Sequence, residues 1–261
     1  IGIDQQYVDY SKLLKAFSPN IGLIYNLDKN DEVYINYGKS YETPSLSELS
    51  ANPSGAGFNG DLSPMISSGF DLGFRKKSQN LSYSISAFYI DTKDEIVRYE
   101  LEGFEGMNFY RNLGTSKRVG AELEASYNLG RTGEFKASYT LAKYEFKNQG
   151  LSGNLAGIPK SNFAFEWLYG HKDFDFKLDL KYVNSLFADN NNEVKVPSYL
   201  LSNIAMKNKF NFNGFYIEVG LHVRNLLDEK YYDNIRTNAF GNRFYEPASL
   251  RHFIFSINAT F

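Results

Sequence analysis

The sequence predicts an all-β protein: an antiparallel transmembrane β-barrel to which this chain contributes about eleven strands. Three observations carry that prediction. Apolar and polar residues alternate with period 2 in segment after segment. The chain is 16% aromatic, yet its mean hydropathy is −0.41. The connections between alternating segments sort into short and long, in strict turn. No segment approaches the run of about 18 apolar residues that a membrane-spanning helix needs.

The strands can be taken in chain order. Segments 17–27 and 32–41 flank a turn at 28–31, and segments 66–76 and 80–93 flank one at 77–79. Within 81–89, Leu81, Tyr83, Ile85, Ala87 and Tyr89 interleave with Ser82, Ser84, Ser86 and Phe88. A single long strand is expected over 107–128, setting Ala121, Leu123, Ala125 and Tyr127 against Glu122, Glu124, Ser126 and Asn128. It turns at 129–132 into 133–147. Segments 161–170 and 173–184 meet at 171–172, and Phe174, Phe176, Leu178, Leu180 and Tyr182 alternate with Asp175, Lys177, Asp179 and Lys181. Segments 198–208 and 214–225 flank 209–213, and 249–261 closes the sequence on Phe253, Phe255, Ile257, Ala259 and Phe261. Side chains of a strand point alternately to its two faces, so each segment is a ribbon with one oily and one wet face. Helical periodicity would scatter Phe174, Phe176, Leu178 and Leu180 around a cylinder among their charges.

The short turns carry Gly, Asn, Asp and Lys, which suit tight reversals. The long links, at 42–65, 94–106, 148–160, 185–197 and 226–248, all leave the sheet at its other end. A soluble sandwich or propeller also alternates, but its loops are not sorted by length to one end. Long strands with one aromatic-rich face, short turns at one end and long loops at the other describe an outer-membrane barrel. Apolar side chains then meet lipid and polar ones line a lumen, which reconciles the aromatic content with the low hydropathy.

Other totals exclude chemistry. Net charge is −2, from 28 basic and 30 acidic residues, and so gives no ground for nucleic acid or anionic lipid as a partner. Cysteine is absent, which removes disulfides, thiolate metal sites and cysteine nucleophiles. The sequence begins at Ile1, without Met or signal peptide, as expected of a processed product or a fragment. Phe261 ending an alternating strand looks like an outer-membrane insertion signal. If that strand ends in the periplasm, eleven strands place residue 17 outside the cell. A whole single-chain barrel has an even strand number. The expectation is therefore a C-terminal part of one barrel domain, spanning 1–261, whose edge strands need partners.

Phe17-Ser18-Pro19-Asn20-Ile21-Gly22-Leu23-Ile24-Tyr25, Val33-Tyr34-Ile35-Asn36-Tyr37-Gly38 and Tyr41-Glu42-Thr43-Pro44-Ser45-Leu46-Ser47-Glu48-Leu49 follow one another early in the chain. Later come Asn112-Leu113-Gly114, Arg118-Val119-Gly120-Ala121-Glu122-Leu123-Glu124, Gly157-Ile158-Pro159, Val196-Pro197-Ser198-Tyr199 and Asn225-Leu226-Leu227-Asp228-Glu229-Lys230-Tyr231-Tyr232. In order and spacing these resemble the later barrel strands of TonB-dependent outer-membrane receptors, from about residue 17 to Phe261. The stretch 234–247 looks closest to a subgroup that includes ferric citrate-like receptors and a pyrroloquinoline quinone importer. It departs from many members in having Ser249-Leu250-Arg251 where they carry Pro-Arg.

The resemblance implies a 22-stranded barrel occluded by an N-terminal plug, located in the bacterial outer membrane. It implies import of a scarce nutrient, first of all a ferric siderophore-type chelate, with pyrroloquinoline quinone or cobalamin as the alternative. A passive pore or adhesin barrel is the rival of another class. The partners implied are the plug and remaining strands, the TonB-ExbB-ExbD energy-transducing complex, the nutrient ligand and outer-membrane lipid. No nucleic acid, cofactor or catalytic residue is expected.

Site candidates fall into two groups. Tyr41, Arg98, Tyr99, Tyr110, Arg111, Arg236, Asn238 and Arg243 lie at or near the long loops. Arg offers a planar fork for carboxylates and anionic chelates, and Tyr adds flat amphipathic contact area. Glu122, Glu124, Lys177, Asp179, Lys181, Glu218 and Arg224 share the inward parity and are read as facing lumen water and a plug. Gly55-Ala56-Gly57-Phe58-Asn59-Gly60 has dinucleotide-binding spacing, but a polar loop with Pro64 follows it, so it is read as loop. His171, His222 and His252 are separated and are not read as a metal site. Asn190-Asn191-Asn192-Glu193 is read as a solvated loop tip.

Overall fold

A computed structural model describes residues 16–55, 57–148 and 151–261. Ala56, inside the glycine-rich motif, lies outside the described residues. The elements in order are β1 (Asn20–Asn26), β2 (Asp31–Glu42), α1 (Leu46–Ser50), β3 (Met65–Lys77), β4 (Leu81–Lys93), β5 (Ile96–Tyr99), β6 (Phe109–Asn112) and β7 (Ser116–Asn128). They continue with β8 (Gly133–Asn148), β9 (Leu151–Asn154), β10 (Ser161–His171), β11 (Phe174–Val183), β12 (Leu186–Phe187), β13 (Lys195–Val196) and β14 (Tyr199–Phe212). The last are β15 (Phe215–Arg224), β16 (Tyr232–Ile235), β17 (Tyr245–Pro247) and β18 (His252–Thr260).

Eleven of these form one antiparallel sheet in the order β1-β2-β3-β4-β7-β8-β10-β11-β14-β15-β18, with β9 paired to β8 at its side. Each strand neighbours the next barrel strand in sequence, the up-and-down order that short hairpin turns enforce. No described helix is long and apolar enough to cross a membrane. The all-β architecture and the eleven antiparallel strands expected from the alternation are observed, as one continuous sheet.

Register makes the two faces continuous. Leu23, Ile35, Leu72, Ala87, Ala121 and Leu141 are successive Cα partners across six strands, forming one row of an apolar belt. On the other face Glu32, Arg75, Ser84, Glu124, Ser138, Ala164 and Lys181 are aligned in the same way. Belt residues stay exposed: Phe255 and Ile257 keep 74% of their accessible surface. Such a surface is stable against hydrocarbon, not water. Among the described residues the buried apolar cluster lies instead between two long loops, where Ala188, Val196, Ala239 and Phe244 pack together.

Three expectations change. The strand expected over 107–128 is two: β6 pairs with β5 in a hairpin outside the main sheet, and β7 starts at Ser116. The break falls at Gly114, whose φ of 80° a strand residue does not adopt. The turn expected at 209–213 shrinks, because β14 runs to Phe212 and Gly214 reverses the chain at φ 91°. The long links are also structured. They hold three two-stranded hairpins and α1, whose Ser45 and Glu48 form a reciprocal capping box.

Candidate functional site

The polar face of the sheet lines a hollow of about 990 Å³ that includes Glu32, Arg75, Glu122, Glu124, Lys136 and Lys181. Most of its charges pair laterally along the wall. Arg75 binds Glu32 at 3.0 Å and lies 4.2 Å over the Tyr34 ring. Glu166 receives Lys177 at 2.6 Å and Lys136 at 3.5 Å, and Lys177 also reaches Asp179 at 3.1 Å. Glu218 pairs with Lys207 at 3.3 Å. Glu122, Glu124 and Lys181 form no ion pair among the described residues. All seven inward candidates occupy the polar face by register, as the alternation implies.

Nearer the long-loop end a second hollow, of about 600 Å³, is lined by Lys177 and Arg224, by Asp179 and Asp233, and by His222 and His252. Among the described residues no cluster of three or more His, Asp or Glu could hold a metal ion.

Above the sheet the five long loops are tied into one crown, chiefly by asparagine side chains. Asn112 accepts from the Ser63 amide at 2.7 Å and donates to the Ser63 and Asp94 carbonyls at 2.9 and 2.7 Å, joining loop 43–64 to loop 94–115. Asn238 donates to the Arg98 carbonyl at 3.0 Å and accepts from the Asn190 amide at 2.9 Å, joining the last loop to two others. Asn192 accepts from the Asn154 amide at 2.6 Å and donates to its carbonyl at 2.8 Å, which brings in the end of β9.

At the centre lies Glu100, whose side chain has no accessible surface. It binds Arg98 at 3.3 Å and Arg243 at 3.1 Å, and accepts from the Phe240 and Gly106 amides at 3.2 and 3.5 Å. Burial alone would raise this carboxyl. The two amides and the two guanidinium groups outweigh it and hold the group below the usual carboxylate range. Glu95 does similar work at the base of the crown, binding Arg118 at 2.6 Å and Ser116 at 2.5 Å.

The rim candidates therefore divide. Arg98 and Arg243 hold Glu100, Asn238 is a strut between loops, and Arg236 pairs with Glu246 at 2.9 Å. Tyr41 takes the parity of Tyr37 and Ile35 on the outward face, so it belongs with the lipid-facing residues and not with the vestibule. Arg111 stacks over Tyr99 at 5.0 Å with no ion pair among the described residues, and Tyr110 is half-buried beside them. Glu95 and Glu100 give no signal in the sequence, because a lone acid in a loop has no periodic partner, and Asn112 stood out only as part of the Asn112-Leu113-Gly114 motif and not as a strut. Asn190 and Asn192 are cross-loop struts and not a free tip.

A family model for the TonB dependent receptor-like β-barrel matches residues 3–226. The chain belongs to this TonB-dependent receptor family. As a barrel of that family it resides in the bacterial outer membrane, with its long loops outside the cell. Among its relatives, the ferrioxamine receptor of Yersinia enterocolitica is 24% identical over 225 residues, covering 82% of this chain and 30% of that protein. The catecholate siderophore receptor Fiu of Escherichia coli K12 is 24% identical over 269 residues, covering 97% and 34%. The closed form of the same ferric-catecholate receptor superposes with a TM-score of 0.70 at 22% identity, over 92% of this chain and 34% of that one. The unliganded ferric citrate transporter FecA superposes at 0.72 and 19% identity, over 93% and 37%. At these identities the structures establish a shared fold. The chain spans about a third of the length of the curated relatives it matches.

Proposed function

We propose that this chain is the C-terminal part of the barrel of an outer-membrane receptor that imports a ferric siderophore-type chelate, driven by TonB acting on a plug carried elsewhere in the protein. The observation that supports it is the loop crown: long outer loops fixed to one another over a polar wall, in a family whose matched relatives are named for ferrioxamine and catecholate siderophores. Most of the wall charges are already paired with one another, which leaves Glu122, Glu124 and Lys181 for a plug to meet. Tyr99, Tyr110, Arg111 and, in the second hollow, Arg224 are the ligand-contact candidates that the described loops have not already engaged. Nothing in this reading calls for a catalytic residue.

The test is calorimetry on the full-length receptor in detergent against ferric catecholates, ferric hydroxamates, ferric citrate, cobalamin and pyrroloquinoline quinone. Binding of a ferric chelate is the expected result. Binding of cobalamin or pyrroloquinoline quinone alone overturns the substrate class, and binding of none overturns the importer reading.

A further inference from the structure

Histidines that lie apart in the sequence come together in the second hollow, which His222 and His252 both line. Arg224 on β15 and His252 on β18 are Cα partners, so their side chains leave the wall about 5 Å apart. His222 precedes Arg224 by two residues on the same face of β15, about 7 Å along the strand. Lys177, Ala205 and His222 are successive partners across β11, β14 and β15. Ala205, small between two longer side chains, leaves the space there open.

Each surrounding element contributes a definite charge. From β11, Lys177 is held by Glu166 at 2.6 Å and by Asp179 at 3.1 Å, so it is already matched. From β14, Asn203 accepts from the Asn225 amide at 2.9 Å, and Lys207, two residues past Ala205, pairs with Glu218 at 3.3 Å. On β18 the residues that follow His252 on this face, Ile254 and Ser256, carry no charge. Beside it, Arg251 donates to the Leu226 carbonyl at 3.3 Å and Asp228 accepts from the Arg251 amide at 2.9 Å. The last long loop brings Asp233 and Tyr231, the latter stacked on Tyr199 at 4.9 Å. Arg224 and Asp233 form no ion pair among the described residues. With both histidines neutral, the hollow therefore holds one unengaged guanidinium and one unengaged carboxylate, in balance.

Protonation tips that balance. Histidine is the side chain whose charge ordinarily changes between about pH 5 and 8. His252 Nδ1 donates to the Leu250 carbonyl at 3.1 Å, which leaves Nε2 to take up the second proton. Two imidazolium groups around Arg224 make a three-point cationic site with two charges in excess. A small dicarboxylate matches it in charge and in shape. The guanidinium fork takes one carboxylate, and the imidazolium groups donate to the other.

We propose that the second hollow is a proton-dependent binding site for a small dicarboxylate, held by Arg224, His222 and His252. It shares Arg224 with the ligand-contact candidates but does not need the importer reading, because oxalate can bind where no ferric chelate does, and the reverse. The test is calorimetry on the full-length receptor in detergent with iron-free oxalate, which stays doubly ionised from about pH 5.5 to about pH 7.5 while histidine changes charge. Oxalate should bind at least about 10-fold tighter at the lower pH. Titrations in buffers of different ionisation heat should show about one proton or more taken up on binding. His222→Asn/His252→Asn should remove the pH dependence, and Arg224→Gln should weaken binding at both pH values. His171→Asn, at the short-turn end, should match the wild type. No oxalate binding, affinity that does not vary with pH, or binding without proton uptake overturns the proposal, and these wild-type readings stand even if the double variant fails to assemble. A pH dependence that survives in the double variant, or an equal loss in His171→Asn, also overturns it. Sulfate bound as tightly as oxalate overturns the dicarboxylate class in favour of a general anion site.

Discussion

Glu100 and the asparagines around it do their work one residue at a time. A carboxylate without accessible surface is tolerated only if each lone pair is matched, and here two guanidinium groups and two amides match them. Glu100→Ala should loosen loops 94–115 and 225–251 by about 2 kcal/mol of local opening, with the barrel intact, because it strands two amides and leaves Arg98 without its anion. Limited proteolysis with mass-spectrometric mapping measures this, and cleavage confined to wild-type sites and rates contradicts it. The pH dependence has a definite sign. A carboxyl held below its ordinary value contributes stability that is complete above about pH 4.3 and is lost as the pH falls through the lowered native value. Loop cleavage should therefore be the same at about pH 7 and about pH 5 and rise only in stronger acid. A rise between those two values excludes Glu100 as the titrating group.

At the level of elements, each strand is a partition between lipid and lumen, and neighbouring residues on it have opposite tolerances. Leu123 and Glu124 are adjacent on β7, one aligned with Ile85 and Tyr139 on the belt, the other with Ser84 and Ser138 on the wall. Leu123→Arg should destabilise the barrel by about 2–4 kcal/mol if it sits at the midplane, while Glu124→Gln should change it by less than about 1 kcal/mol. Denaturant unfolding of the full-length receptor in lipid vesicles reads the difference, and equal effects would refute the assignment of faces. The loops obey another rule. Their hairpins are too short to be stable alone. They persist because Ala188, Val196, Ala239 and Phe244 form a small core and because polar struts bridge one loop to the next.

For the whole molecule the sheet is open: among the described residues β1 and β18 each have one paired side, and every residue of β1 is exposed. Unpaired strand edges in hydrocarbon cost several kcal/mol per unsatisfied group. Expressed by itself and refolded in detergent, the chain should form oligomers or aggregates. A monodisperse, heat-modifiable monomer by size exclusion and gel shift would show that the sheet closes on itself. Much of this architecture was legible beforehand. The faces of β4, β7, β11 and β18, the sorting of the loops and the inward parity of Glu122, Lys177 and Arg224 follow from a period-2 pattern written over consecutive residues. That pattern is local because strand geometry is local. The division of 107–128 is not legible in the sequence because four residues of β6 are too few to set a period of their own, and only the backbone at Gly114 separates them from β7. What Arg98, Asn238 and Arg243 do was not legible at all, since Glu100 and Arg243 lie 143 residues apart and no repeat announces the pair. The sequence by itself determined the barrel and its two faces, through alternation between neighbours. The tertiary structure alone decided which arginines hold a carboxylate, which asparagines tie loops and which histidines share a hollow, because register and loop docking bring together residues that the chain keeps far apart.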